Sequence, residues 1–443
     1  MKKTSVQMNG ARIALVFSTI IVLALASCRK DDHHHGNGNP PASYTAEVVD
    51  KWLALQLRLI KNTTGVPNHA FSRHYSYSGV AAFEAISPGL PSSISQFRRW
   101  NGLTGLPAED HSFRYYYPAN VNAALAAINR AFFPNANAND KAAIDSLEHA
   151  LNEGFLTKES QERIHKSAEF GKAVATAVFN WAETDGYKNA NAPYTIPTGP
   201  GLWKPVPATA NPVTPYWGNN RTVVAGSISN AQPGAPVPYS TDPASPFYNA
   251  AKKVYEASLT LTDDQKAMAI FWRDVPGATS PGHWLSILHQ VIKKTNARLD
   301  KAVMAYALTG ASINDALISC WKTKYTYNVV RPVTYIREVM GYTNWNTFIG
   351  TPSHPEYSSG HASLSGAAAA AFEKIFGNIG SFTDHTYDYL GLAPRTYNSF
   401  KAIGEEASIS RFYGGIHYEF TLEAGLAEGR KVVSNIFSKG VKN

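Results

Sequence analysis

Between residues 187 and 248 the chain concentrates 12 of its 26 prolines, and no other feature restricts its folding so sharply. Proline fixes φ and donates no backbone hydrogen bond, so neither a helix nor a central strand can run through this stretch. It also holds Trp203, Tyr216, Trp217 and Tyr239. Large aromatic groups favour packing over solvent, and a loop of this length is either functional or disordered. The expectation is a covering loop laid over the body, not a linker between domains.

On either side the pattern is helical. Val48, Val49, Trp52, Leu55, Leu59 and Ile60 recur at helix spacing, as do Ile164, Ala168, Ala175, Val178 and Trp181. The same periodicity resumes near Tyr248 and runs almost to the C-terminus, and no segment alternates every two residues as a sheet would. The fold class expected is all-α: a large helical bundle over residues 45–443, as one domain or two fused bundles.

The N-terminus follows different rules. Lys2, Lys3 and Arg12 precede an apolar run, Ile13 to Ala26, which is too short for a membrane span and has the layout of a secretory signal over residues 1–27. Leu25-Ala26-Ser27-Cys28 resembles a bacterial lipobox. That implies cleavage before Cys28, lipid on this cysteine and a protein anchored at the cell envelope, on the periplasmic or surface face of the outer membrane. An ordinary signal with an incidental cysteine is the other reading. Residues 28–44 read as a polar tether in which His33, His34 and His35 are solvated rather than metal-binding. The two acids that follow the basic pair after Cys28 resemble an export signal of surface lipoproteins. With Cys28 lipidated, Cys320 has no partner and no disulfide is expected. Removing the leader's three basic residues leaves +5 of the formal +8, too small an excess to indicate nucleic acid.

Three short segments near the C-terminus carry the chemistry. Trp321-x2-Lys324-x6-Arg331-Pro332 offers two cations; Ser359-Gly360-His361 offers a hydroxyl, an open backbone N–H and an imidazole; Ser410-Arg411-x5-His417 adds a third cation and a second imidazole. A buried tetrahedral oxyanion requires such a set. Ala302 to Lys324 should be helical, with Lys324 at its end, while Pro332 biases Arg331 towards extended backbone. Ser358-Ser359-Gly360 should turn into an alanine-rich helix whose first N–H groups and dipole favour an anion. Positions six apart in one helix diverge by about a third of a turn. Gly414-Gly415 should therefore end the helix Phe400–Tyr413 and let Arg411 and His417 face one point, with His417 opening the next helix. Each segment alone is weak, since Arg-Pro is common, a Ser-Gly-His triplet is often only a helix start, and a lone buried histidine is usually core.

In this order and spacing the segments resemble the vanadium-dependent haloperoxidases and the type 2 phosphatidic acid phosphatases, which share a helical-bundle fold and an oxyanion pocket. The shared motifs span residues 321–417. Phe271-Trp272-Arg273-Asp274, Ser280-Pro281-Gly282-His283-Trp284, Asp315-Ala316, Trp321, Gly201-Leu202-Trp203 and Pro215-Tyr216-Trp217-Gly218 are similar to the haloperoxidase branch and extend a looser likeness over residues 50–435. Ser358 departs from the pattern, because proline usually precedes the Ser-Gly-His triplet, and this loosens the turn on paper.

The resemblance implies vanadate as cofactor, in a site that phosphate can also occupy. His417 would be the axial vanadium ligand; Lys324, Arg331, Ser359, the Gly360 N–H and Arg411 would bond the oxyanion; His361 would be the acid–base group. Hydrogen peroxide, a halide and an organic acceptor would be the reactants, with Lys324 polarising the bound peroxide and hypohalous acid as product. Asp274 matches, within one residue, a family aspartate that pairs with the second arginine; a surface aspartate is the alternative. His354 stands where bromide-oxidising members often carry histidine and chloride-oxidising ones an aromatic residue, which favours bromide or iodide; a plain loop residue is the alternative. A phosphatase is the second functional reading, with His417 attacking phosphorus and His361 protonating the leaving group. Compact acid phosphatases need less chain, however, and membrane lipid phosphatases carry several spans. A non-catalytic oxyanion-binding lipoprotein is the third, against which His361 argues, since sequestration needs no proton-transfer group.

Overall fold

The structure, a computed structural model, describes residues 39–438. The signal segment, Cys28 and most of the tether lie outside the described residues. Pro41 to Tyr44, assigned to the tether by sequence, pack on the body: Pro41 is buried, Tyr44 meets Tyr116 edge-on at 5.3 Å, and Arg298 donates to Ala42 O at 3.0 Å.

The first six helices are α1 (Glu47–Asn62), α2 (Phe71–Ala85), the single turn α3 (Ser92–Ser95), α4 (Tyr117–Phe132), α5 (Ala138–Leu156) and α6 (Gln161–Ala182). After the proline-rich loop come α7 (Pro246–Leu259), α8 (Asp263–Phe271), α9 (Ser280–Lys294), α10 (Leu299–Tyr327), α11 (Pro332–Glu338), α12 (Gly360–Phe376), α13 (Phe400–Tyr413) and α14 (Glu419–Phe437). Several begin on a side-chain cap that satisfies an orphan N–H: Ser160 for α6, Thr262 with Gln265 in a full capping box for α8, and Ser399 for α13. One short antiparallel pair, β1 (Phe382–Asp384) with β2 (Arg395–Tyr397), interrupts the helices. Three residues are too few to show alternation in sequence.

At the centre lies α10, 29 residues long and buried on all sides from Ala305 to Trp321, packed between α2 on one flank and α12 and α14 on the other. A helix buried all round belongs inside a large core, and its few polar groups, Asp315 and Lys324 among them, must find partners there. No helix of the described residues is long and apolar enough to cross a membrane.

Loop 187–248 contains only short 3-10 turns before α7 begins, as its prolines dictate. It lies on the body, with Trp203 and Trp217 1% and 0% exposed. Asp315, buried in α10, straps it down by accepting from Val223 N, Val224 N and Ser227 Oγ at 2.7, 3.0 and 2.7 Å. The same loop reaches the site: Val213 N donates to Ser353 O, and Trp321 Nε1 donates to Val213 O at 3.4 Å.

Candidate active site

Local sequence sets the backbone on which the site is built. α10 delivers Trp321 and Lys324 on its last turns and stops at Asn328, whose φ is +46°. Arg331 follows in extended backbone, φ −77° and ψ 153°, as Pro332 requires, and caps α11. Ser359 caps α12, its Oγ accepting from Ala362 N at 3.4 Å, which leaves the Gly360 N–H open at the positive helix end. Arg411 sits on the last turn of α13, and Gly415 at φ +76° turns the chain. His417 then lies two residues before α14, not at its first position. That helix fits against α12 because Gly429 has no side chain: a Cβ there would stand 2.0 Å from Ser363 O.

The seven expected cradle residues converge, though not all on one surface. Gly360, His361, Arg411 and His417 line a cavity of about 730 Å³, together with Trp321, His354 and Asp274. Lys324, Arg331 and Ser359 lie behind this wall, each 0% exposed. Lys324 Nζ donates to Pro355 O at 2.9 Å and Glu356 O at 3.0 Å. Arg331 donates to His354 O and Ile416 O at 3.0 and 2.8 Å, and its Nη1 stands 3.2 Å from His417 Nε2. Arg411 Nη1 donates to Trp272 O at 3.0 Å, while its Nε is buried without a partner among the described residues.

Both imidazoles have one nitrogen fixed. His417 Nδ1 lies 2.6 Å from Glu356 Oε1, an oxygen that already accepts from the Tyr418 N–H at 3.1 Å, so the nitrogen is the donor and carries the hydrogen. The Nε2 lone pair is then free on the side where Arg331 points. His361 Nε2 lies 2.9 Å from the Trp272 carbonyl, which only accepts, and 2.7 Å from Ser280 Oγ. Its hydrogen is therefore on Nε2, and Nδ1 is the basic atom.

Burial pulls Lys324 down to about 8, with Arg331 adding to the fall, and burial brings Arg331 and Arg411 to about 10. It also holds His417, His361 and His354 well below the usual imidazole range, reinforced by the neighbouring cations. Glu356 is pushed up to about 7 by burial, against the pull of Arg331 and Lys324. Neutral imidazoles amid buried cations that have no carboxylate within ion-pair distance among the described residues favour an anion that brings negative charge. An orphaned Arg411 Nε, an open Gly360 N–H and a free His417 lone pair fit a tetrahedral oxyanion with one nitrogen ligand.

Asp274 does not ion-pair with Arg411 among the described residues. It is 28% exposed in its side chain and holds Ser280 through N and Oγ at 2.7 and 2.8 Å, which in turn holds His361. His354 sits on the wall, its ring 5.0 Å from Trp321 and its Nδ1 3.0 Å from Arg331 Nη2.

Sequence reasoning missed Glu356, His69 and Glu428, and gave Ser280 no role of its own within the segment it opens. Glu356 also accepts from Tyr418 N and Thr421 Oγ1. Only its place in the loop beside His354 signalled it. His69 stacks on Trp321 with ring centroids 4.3 Å apart and is fixed by Thr214 of the proline-rich loop at 2.7 Å. The turn expected to be loose at Ser358 is tied instead, because Ser358 Oγ donates to buried Glu428 at 2.6 Å.

The model of the VCPO second helical-bundle domain matches residues 304–442, which include all three motif segments. No curated protein matches the sequence. Among solved structures, a bacterial vanadium-dependent iodoperoxidase aligns with a TM-score of 0.78 and 30% identity, covering 89% of this chain and 96% of that one. A holo-type bacterial vanadium-dependent chloroperoxidase aligns with a TM-score of 0.65 over 85% of this chain and 92% of its own; at 16% identity it speaks to the fold alone. With 30% identity over nearly the whole iodoperoxidase, this chain belongs to the vanadium-dependent haloperoxidase family.

Proposed function

We propose that the protein is a vanadate-dependent haloperoxidase that oxidises iodide or bromide, in preference to chloride, with hydrogen peroxide to hypohalous acid, which then halogenates an organic acceptor. The observation that carries this reading is His417: Glu356 fixes its hydrogen on Nδ1 and leaves Nε2 as a lone pair beside three buried cations with no carboxylate in ion-pair reach among the described residues. Vanadate, when bound, supplies a Lewis-acid centre that activates peroxide without changing its own oxidation state.

The chain's residues divide the remaining work. His417 Nε2 would hold the metal; Lys324, Arg331, Arg411, the Ser359 hydroxyl and the Gly360 N–H would hold its oxygens through charge-assisted and backbone donors. His361 Nδ1 would accept and return the proton that peroxide brings, while the Trp272 carbonyl and Ser280 keep the ring oriented. Asp274 steadies Ser280. Trp321 and His354 form a polarisable wall for the halide. His354 and the likeness to an iodoperoxidase support the halide order.

The test is to load apo-protein with orthovanadate and follow peroxide-dependent halogenation of a phenolic dye with iodide, bromide and chloride in turn. Turnover with iodide and bromide, weak turnover with chloride and loss of all three in His417→Ala are expected. Phosphomonoester hydrolysis without halogenation would assign a phosphatase instead. Export and lipid attachment at Cys28 are likewise proposed, from the lipobox-like Leu25-Ala26-Ser27-Cys28 alone. Labelled palmitate should enter the wild-type chain and not Cys28→Ala, and equal labelling would refute the anchor.

A further inference from the structure

Glu428, midway along α14, is 1% exposed, and its two oxygens read two different helices. Oε1 accepts from Ser319 Oγ at 2.6 Å and Thr323 Oγ1 at 3.3 Å, both on α10 just ahead of Lys324. Oε2 accepts from Ser358 Oγ at 2.6 Å and Ser363 Oγ at 3.0 Å, which bracket Ser359 and Gly360. No cation pairs with it among the described residues; Ser319 and Ser358 are its closest donors, while Ser363 Oγ and Thr323 Oγ1 share their single hydrogens with the Ser359 and Ser319 carbonyls at 3.0 and 3.1 Å. A buried carboxylate held this way costs desolvation that an apolar side chain of similar volume would avoid, so bulk stability is a poor reason for it to stand there. Directional bonds to two helices are what leucine cannot supply.

We propose that Glu428 is a positioning residue that sets the separation between the Lys324 side and the Ser359–Gly360 side of the cradle, so that both reach one tetrahedral anion. Its carboxylate bridges α10 and α12 from the third helix, α14, whose leading segment carries His417. One group therefore ties together all the cradle-bearing elements except those of Arg331 and Arg411. The inference rests on the reading that the cradle takes vanadate.

The experiment titrates apo-protein with orthovanadate by calorimetry, with thermal unfolding alongside, for the wild type, Glu428→Ala, Glu428→Gln, Ser358→Ala, Ser319→Ala and the double variant Glu428→Ala/Ser358→Ala. Glu428→Ala should raise the vanadate Kd roughly ten- to a hundredfold, the range for groups that orient ligands from behind. Ser358→Ala and Ser319→Ala should each raise it by less. The double variant should bind no more weakly than Glu428→Ala, because both changes cut the same link. Glu428→Gln should recover most of the affinity, since hydroxyls can reverse their donors to meet an amide. If Glu428→Ala fails to fold, the two serine variants carry the test. Wild-type affinity in Glu428→Ala or in both serine variants, or additive losses in the double variant, would overturn the inference alone. A wild-type protein that binds no vanadate would overturn the cofactor reading as well.

Discussion

Two buried arginines show how differently the halves of the molecule treat charge. In the N-terminal bundle Arg73, 4% exposed, is neutralised on the spot by Asp185 at 2.6 Å and Glu183 at 3.5 Å. In the C-terminal half Arg331, 0% exposed, meets backbone carbonyls, His354 and the His417 lone pair but no carboxylate within ion-pair reach among the described residues. Lys324 and Arg411 are in the same position. The first arrangement is complete as folded, whereas the second leaves its positive charge to the anion proposed above. Buried positive charge without a carboxylate in ion-pair reach is expensive, which makes this cluster a candidate binding site.

The sharpest way to break this contrast is to delete each guanidinium. Arg73→Leu strands Asp185 in the core and should cost about 3–5 kcal/mol of stability in chemical denaturation. Arg331→Leu removes a cation with no carboxylate in ion-pair reach among the described residues, so the apo-protein should melt no lower than wild type while vanadate binding collapses. Equal destabilisation by the two changes would erase the distinction. Next in size is the response to ligand. Vanadate at a hundredfold excess over its Kd should stabilise the wild type by about 2.7 kcal/mol and leave Arg331→Leu unmoved in thermal melts. Glu356→Gln, which loosens the tautomer of His417, should weaken vanadate binding roughly ten- to a hundredfold with little change in melting temperature. An unchanged Kd would mean that Glu356 does not orient the ligand.

The smallest effect is in pH. Burial holds Lys324 at about 8, and an anion bound beside it would restore its full charge, so binding above that pH would take up a proton. Affinity should fall as pH rises beyond about 8, by up to about tenfold per unit at the limit of one proton. The difference between wild-type and Lys324→Met titrations isolates this slope from the ionisation of vanadate itself. Parallel titrations would show that Lys324 is charged throughout.

Much of the contrast was legible in sequence wherever the cause is local. Pro332 forces Arg331 to extend, Gly414-Gly415 ends α13, and Ser359 caps α12; each follows from a residue and its immediate neighbour. The covering loop was legible too, because its prolines forbid helix and its tryptophans need burial. What escaped depends on distant partners. Glu356 meets His417 across 61 residues and Glu428 meets Ser358 across 70. No periodicity encodes such pairs. For the same reason the looseness expected at Ser358 was misleading: the missing proline is answered by a glutamate on another helix. Asp274 matched a family position, yet its contact with Ser280 rather than Arg411 is a matter of a few ångströms that spacing cannot convey.

The most direct measurement is a calorimetric titration of apo-protein with orthovanadate, repeated on Arg331→Leu and Arg411→Leu. One saturable site per chain in the wild type, lost in both variants although each stays folded, is the expected result. No binding in the wild type, or binding that survives both deletions, would mean that the unpaired cations of the C-terminal half were not left for an anion.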